Sequence, residues 1–145
     1  MKRISTLEAP KAVGPYAQAV LAEGTFLYIS GQLPIDPLTD EMVSDDIYEQ
    51  AAQSLKNIGA ILQEVHLGFR DLVKTTIYVT DLACFEGINK IYASYFQGDE
   101  IPARAVVEVS KLPKGAKIEI EAIATSREAR KWKNKNTIGK KSRTA

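Results

Sequence analysis

The sequence has one cysteine, one histidine and one tryptophan among 145 residues. A lone Cys84 excludes an intrachain disulfide, and Cys84 with His66 gives too few ligands for a structural zinc site. With no second thiol or imidazole to activate it, Cys84 reads as a small buried hydrophobe near a helix start rather than as a nucleophile. His66 falls at the end of an expected helix, where a partly positive imidazole suits the dipole. No stretch approaches the roughly 18 apolar residues of a membrane span, and no apolar run of signal-peptide length follows Met1-Lys2-Arg3. The expected location is therefore the cytoplasm. Also missing are a glycine-rich phosphate loop ending in Lys-Ser or Lys-Thr, a dinucleotide fingerprint and a GxSxG elbow, so nucleotide and serine-hydrolase chemistry lose their main signatures.

What is present suits one ordinary hydrophobic core: 45% hydrophobic and 26% charged residues in a chain too short for two comfortable domains. The expected organisation is one domain over residues 1–126 and a tail over 127–145. The formal charge of +1 hides an asymmetry between them. The tail holds eight Lys or Arg and one acid, a net +7, which leaves eleven bases and seventeen acids, a net −6, before it. An acidic body makes a poor general nucleic-acid binder, while the tail has the charge for RNA or an acidic partner. Residues 127–136 could extend as a short helix, but with Trp132 as the only large apolar residue there it has too little apolar face for membrane insertion, so a solvated tail is the favoured reading.

Periodicity orders the body. Ile47, Ala51, Leu55, Ile58, Ile61, Leu62 and Val65 recur at helical steps between positions 44 and 66, with Ser44, Asp45 and Asp46 as caps and Gly68 as a stop signal. The β-branched run 73–80 predicts a strand. Asp81 then caps a second helix whose stripe, Phe85, Ile88, Ile91, Tyr92, Tyr95 and Phe96, reads as core packing. Strands follow over 103–109 and 117–125 around a Pro113–Gly115 turn, and two N-terminal strands, 17–21 and 26–30, flank Glu23-Gly24 as an expected hairpin. The order ββ(β)αβαββ predicts an α+β, two-layer fold with both helices on one sheet face. Alternation in 117–125 puts Ile118, Ile120, Ala122 and Ala124 toward the helices and Glu119 and Glu121 away from them. In 103–109 the set Ala103, Ala105, Val107 and Val109 suits the helix side, which sends Arg104, Val106 and Glu108 to the open face beside Glu119. An Arg and a Glu on one face suit a small anionic substrate attacked by a positioned water, and they equally suit a structural salt bridge, the commoner outcome on spacing alone.

Five segments, in order and at their spacing, carry a resemblance: Gly14-Pro15-Tyr16, Ser30-Gly31-Gln32-Leu33-Pro34, the run 73–82, Pro102-Ala103-Arg104, and Ile118-Glu119-Ile120-Glu121-Ala122-Ile123-Ala124. Over most of the body, and none of the tail, the chain resembles the RidA (YjgF-like) family of reactive-intermediate deaminases. The resemblance implies a chorismate-mutase-like fold, a homotrimer with a site in each cleft between subunits, and cofactor-free hydrolysis of short 2-imino acids, such as 2-iminobutanoate and the tautomer of 2-aminoacrylate, to 2-oxo acids and ammonia. It implies that Arg104 holds the substrate carboxylate bidentately, that main-chain groups of Arg104 and Val106 hold the imine nitrogen, and that Glu119 orients or deprotonates water. Glu121 is expected to be structural. Tyr16, Ser30, Gly31 and Asn89 are expected to border the pocket from a neighbouring subunit. One position departs from the family pattern: many deaminating members carry Cys where this chain has Val106, which removes a thiol but leaves the main chain. The family also includes members described as endoribonucleases that inhibit translation, so RNA cleavage, and non-enzymatic binding of a small carboxylate, stand beside the deaminase expectation.

Overall fold

A computed structural model of the chain describes residues 1–126, and the basic tail, with its expected helix, lies outside the described residues. The β-branched run forms β6 (Leu72–Val79). It lies second from one edge of a four-stranded sheet, between antiparallel β8 (Ile118–Ser126) and parallel β7 (Ala103–Glu108), and β3 (Thr25–Gln32) flanks β8 to complete the sheet. Ile118, Ile120, Ala122 and Ala124 on β8 are all buried, as their alternation predicts, with Leu72, Ile77 and Val79 of β6 beside them.

Two helices cover that apolar face. In α1 (Ile47–Glu64), the Asp46 side chain accepts hydrogen bonds from the backbone N–H of Tyr48 and Glu49, both at 2.9 Å, and Ala51, Leu55, Ile58 and Leu62 are buried. The helix stops earlier than Gly68 would require. His66 takes the left-handed conformation (φ 59°), Leu67 N–H donates to Leu62 O at 2.9 Å and His66 N–H to Gln63 O at 3.0 Å, so the backbone at His66 forms the C-terminal lock. Gly68, at an ordinary φ of −139°, instead opens the short turn Phe69–Asp71. The second helix, α2 (Phe85–Ala93), follows a 3-10 turn over Leu82–Cys84 that Asp81 caps, and its aromatic stripe packs as expected, with Tyr92 and Phe96 rings 4.8 Å apart.

Two expectations are corrected. The strands around Glu23-Gly24 do not form a hairpin: β2 (Ala19–Leu21) pairs with β1 (Lys2–Ile4), while β3 crosses to β8. Thr125 explains the crossover locally, since its buried hydroxyl donates to the Glu23 carbonyl at 2.9 Å and holds the connection against β8. After β3 the chain makes a small ribbon, β4 (Ile35–Asp36) with β5 (Glu41–Met42). The phase of β7 is also opposite to the expectation. Its register sets Arg104 beside Thr75, Val106 beside Ile77 and Glu108 beside Val79, all helix-side positions, and sets Val107 beside Tyr78 on the open face. Arg104 and Glu119 therefore lie on opposite faces of the sheet. The cause is that β7 is an edge strand: small Ala103 and Ala105 can face outward at little loss, while the helix side offers the long Arg104 stem something to pack on.

Candidate functional site

Arg104 is the centre of the first half of the site. Its Nη1 donates to Asn89 Oδ1 at 2.8 Å, and its guanidinium carbon lies 4.8 Å from the Tyr92 ring centroid, 5.5 Å from Tyr16 and 5.7 Å from Phe85. Phe85, Asn89 and Tyr92 are spaced i, i+4, i+7, so one stripe of α2 supplies a ring, an amide and a second ring. Tyr16 arrives from the N-terminal segment, which is fastened to β7 by the Ala17–Ala103 bridge and by Ala17 N–H donating to Pro102 O at 3.0 Å. Gly14 belongs to the same turn, its carbonyl accepting from Tyr16 N–H at 2.8 Å, and a Cβ there would stand 3.2 Å from Arg104 Nη2. Glycine at 14 thus leaves the outer edge of the guanidinium uncrowded.

Burial lowers the Arg104 pKa from its ordinary value, yet an arginine remains protonated at any physiological pH. Among the described residues no carboxylate pairs with it; ion pairs occur elsewhere, between Lys90 and Glu86 and between Lys117 and Asp45. The salt bridge between Arg104 and Glu119 that spacing allowed is not formed. A partly desolvated cation with one edge tied to an amide and no anion is a receptor for one, and a planar fork selects a carboxylate-like partner. Arg104 lines a cleft of about 480 Å³ together with Val13, Tyr16, Leu82, Phe85 and Val106. Apart from Arg104 and the Tyr16 hydroxyl, the walls are apolar.

The second half lies on the open face. Glu119 stands beside Tyr78 in the register of β8 with β6, and a β-bulge between Ile29 and Gln32 brings Gly31 against the Glu119 side chain, so closely that a Cβ at 31 would collide with its carboxylate. Ser30 is exposed on the same face, in a depression shared with Tyr28, Lys74 and Glu121. Glu121 accepts a hydrogen bond from the Tyr78 hydroxyl at 2.8 Å, in keeping with a structural part.

The expected residues thus divide within one chain. Arg104, Val106, Tyr16 and Asn89 come together on the helix side, and Ser30, Gly31 and Glu119 on the open side. Tyr16 and Asn89, expected from a neighbouring subunit, are supplied by the same chain as Arg104. Sequence reasoning missed Phe85 as a wall residue, Tyr92 as the buried ring against Arg104, and Gly14 as a spacer. The available signal was Asn89, a polar residue inside an otherwise apolar helical stripe. Among the described residues no cluster of three or more His, Cys, Asp or Glu could hold a metal ion, and no helix is long and apolar enough to cross a membrane.

Comparison with known proteins gives the family of the chain. The family model described as endoribonuclease L-PSP matches residues 6–126. A RutC family protein of Pyrococcus horikoshii is 52% identical over 121 residues, which is 83% of this chain and 94% of that protein. The 2-iminobutanoate/2-iminopropanoate deaminase of Homo sapiens is 49% identical over 121 residues, covering 83% of this chain and 87% of its own. The crystal structure of the YjgF gene product from E. coli superposes with a TM-score of 0.67 at 46% identity, covering 88% of this chain and all of that one. With a matched segment that spans nearly the whole described body and relatives near half identity on either side of it, the chain belongs to the endoribonuclease L-PSP family, the RidA or YjgF-like proteins.

Proposed function

We propose that the chain is a hydrolytic deaminase of short 2-imino acids, converting them with water to 2-oxo acids and ammonia. The observation that carries this reading is Arg104, a partly buried cation without an anion, facing a small and mostly apolar cleft. The human relative bears the name of an enzyme for this substrate class. The free edge of Arg104 clamps the substrate carboxylate, and the main chain of Arg104 and Val106 holds the imine nitrogen. A water held by Glu119 attacks the imine carbon, Glu119 takes one water proton and returns it to the nitrogen, and the tetrahedral adduct expels ammonia as its hydroxyl proton passes by way of Glu119 to the departing nitrogen and the new C=O forms. Every group required is a protein group or water. Val106 supplies the main chain that the reaction uses without the thiol found in many relatives.

Because Arg104 and Glu119 lie on opposite faces, this chemistry needs two copies: the open face of one subunit brings Glu119, with Ser30 and Gly31, to the Arg104 cleft of the next. The open face carries exposed Phe26, Tyr28 and Val107, which suits burial against another copy in the homotrimer that the resemblance implies. The family description names an endoribonuclease. A single cation in a small cleft on an acidic body gives weak purchase on a polyphosphate, so RNA cleavage by way of the tail is the less favoured reading.

The test is turnover of 2-iminobutanoate generated in place by a threonine dehydratase and trapped with semicarbazide. The protein should accelerate imine loss, and Arg104→Ala should lower kcat/KM by about 10²-fold or more, the worth of two charge-assisted hydrogen bonds. A folded wild-type protein that leaves the imine untouched would remove the reading.

A further inference from the structure

We infer that Tyr92, anchored by Thr75, is a positioning residue that sets the plane of the Arg104 guanidinium; this rests on the reading of Arg104 as the carboxylate clamp. Tyr92 is fully buried on α2 and Thr75 fully buried on β6, and their hydroxyls share a hydrogen bond of 2.7 Å. Of the three rings around Arg104, that of Tyr92 is nearest, at 4.8 Å. Thr75 is also the register neighbour of Arg104 on the adjacent strand. The chain from Thr75 to Tyr92 to Arg104 therefore begins and ends on one rung of the sheet, with the ring held at both its edge and its face.

The geometry divides the work among the contacts. Asn89 takes one Nη1 hydrogen and fixes rotation within the guanidinium plane, while a flat buried ring beneath the cation fixes its tilt. A bidentate clamp depends on tilt, since both N–H groups must point at both carboxylate oxygens together. A free phenol would swing about its Cα–Cβ bond and slide with its helix; the Thr75 bond opposes both by holding the hydroxyl, while close packing around the fully buried ring resists its rotation about Cβ–Cγ. Apolar packing alone would be served as well by Phe or Leu, which need no hydroxyl partner in a dry core. The ring also stays neutral, because burial raises the Tyr92 pKa to about 12, and so presents a π-face and no charge.

The experiment measures the affinity of the full chain for 2-oxobutanoate by calorimetry, together with kcat and KM for the imine. Tyr92→Leu removes the ring. Tyr92→Phe combined with Thr75→Val removes both hydroxyls, keeps the shape and leaves no orphaned polar group. Leu62→Ala, in the core away from the cleft, is a control for general destabilisation. Tyr92→Leu should weaken binding about tenfold, the size of a desolvated cation–π contact. The double variant should weaken it several-fold. In both, the loss should appear in KM with kcat less affected, because the clamp binds ground and transition states alike. Leu62→Ala should lower the melting temperature and leave affinity unchanged. Wild-type affinity in both Tyr92 variants, or an equal loss in Leu62→Ala, overturns the positioning role while the clamp stands. No binding and no turnover by the wild type overturns the clamp and the positioning role together.

Discussion

Holding a guanidinium partly out of water with no anion beside it costs free energy whether or not a ligand is present. At Arg104 three rings and one amide oxygen offset part of that cost, and under the proposed function a bound carboxylate would recover the remainder. Arg104→Met keeps most of the apolar stem and removes the charge, so its melting temperature at neutral pH should equal or exceed that of the wild type. Saturating 2-oxobutanoate, near a hundred times its dissociation constant, should stabilise the wild type by about 2.7 kcal/mol and the variant not at all. Thermal shift with and without the ligand reads both effects, and a variant several degrees less stable would mean that Arg104 is a structural cation. The resemblance carried by Pro102-Ala103-Arg104 singled out Arg104 as a candidate, but the face on which it lies was not legible. Alternation tells which residues of a strand go together; with apolar residues in both sets, Ala103 and Val107 in one and Val106 in the other, it does not tell which set goes inward. That choice is made by the register with β6, a contact between positions about thirty residues apart.

Elements whose signals are local formed where the sequence places them. The buried stripe of α1 and the alternating burial of β8 need only their own residues to be read. Asp46 is such a local signal, and because its side chain receives two backbone N–H groups of the first turn, Asp46→Ala should cost about 1 kcal/mol of stability. Urea unfolding should show a lower midpoint at unchanged slope; an unchanged midpoint would mean the first turn is held by packing alone. The failed hairpin at Glu23-Gly24 is the opposite case. A two-residue turn signal competes there with partners far away in sequence, Arg3 for Val20 and Thr125 for Phe26, and the long-range pairings win. The C-terminal lock of α1 was misplaced for a related reason: Gly68 is the residue best suited to a left-handed conformation, but the helix ends where its apolar stripe ends, and His66 adopts that conformation instead.

At the scale of the whole molecule, the division of the site between two sheet faces can be tested by mixing. Arg104→Ala and Glu119→Gln should each be inactive alone. Co-assembled in equal amounts from denaturant, they should regain about a quarter of wild-type activity, because one in four randomly formed subunit interfaces then pairs an intact Arg104 with an intact Glu119. No recovery, in assemblies shown to contain both chains, would mean that the two groups do not serve one site. The open face has a further consequence for the same reason. A freshly synthesised chain would hold two harmless halves of a catalyst, an anion receptor on one side and a base on the other, and neither could consume a metabolite by itself. Specific activity would then depend on how much protein is in the tube: dilution toward the assembly's dissociation constant would silence molecules that are individually well folded, and a binding partner for the exposed Tyr28 surface would act as an inhibitor without entering the cleft.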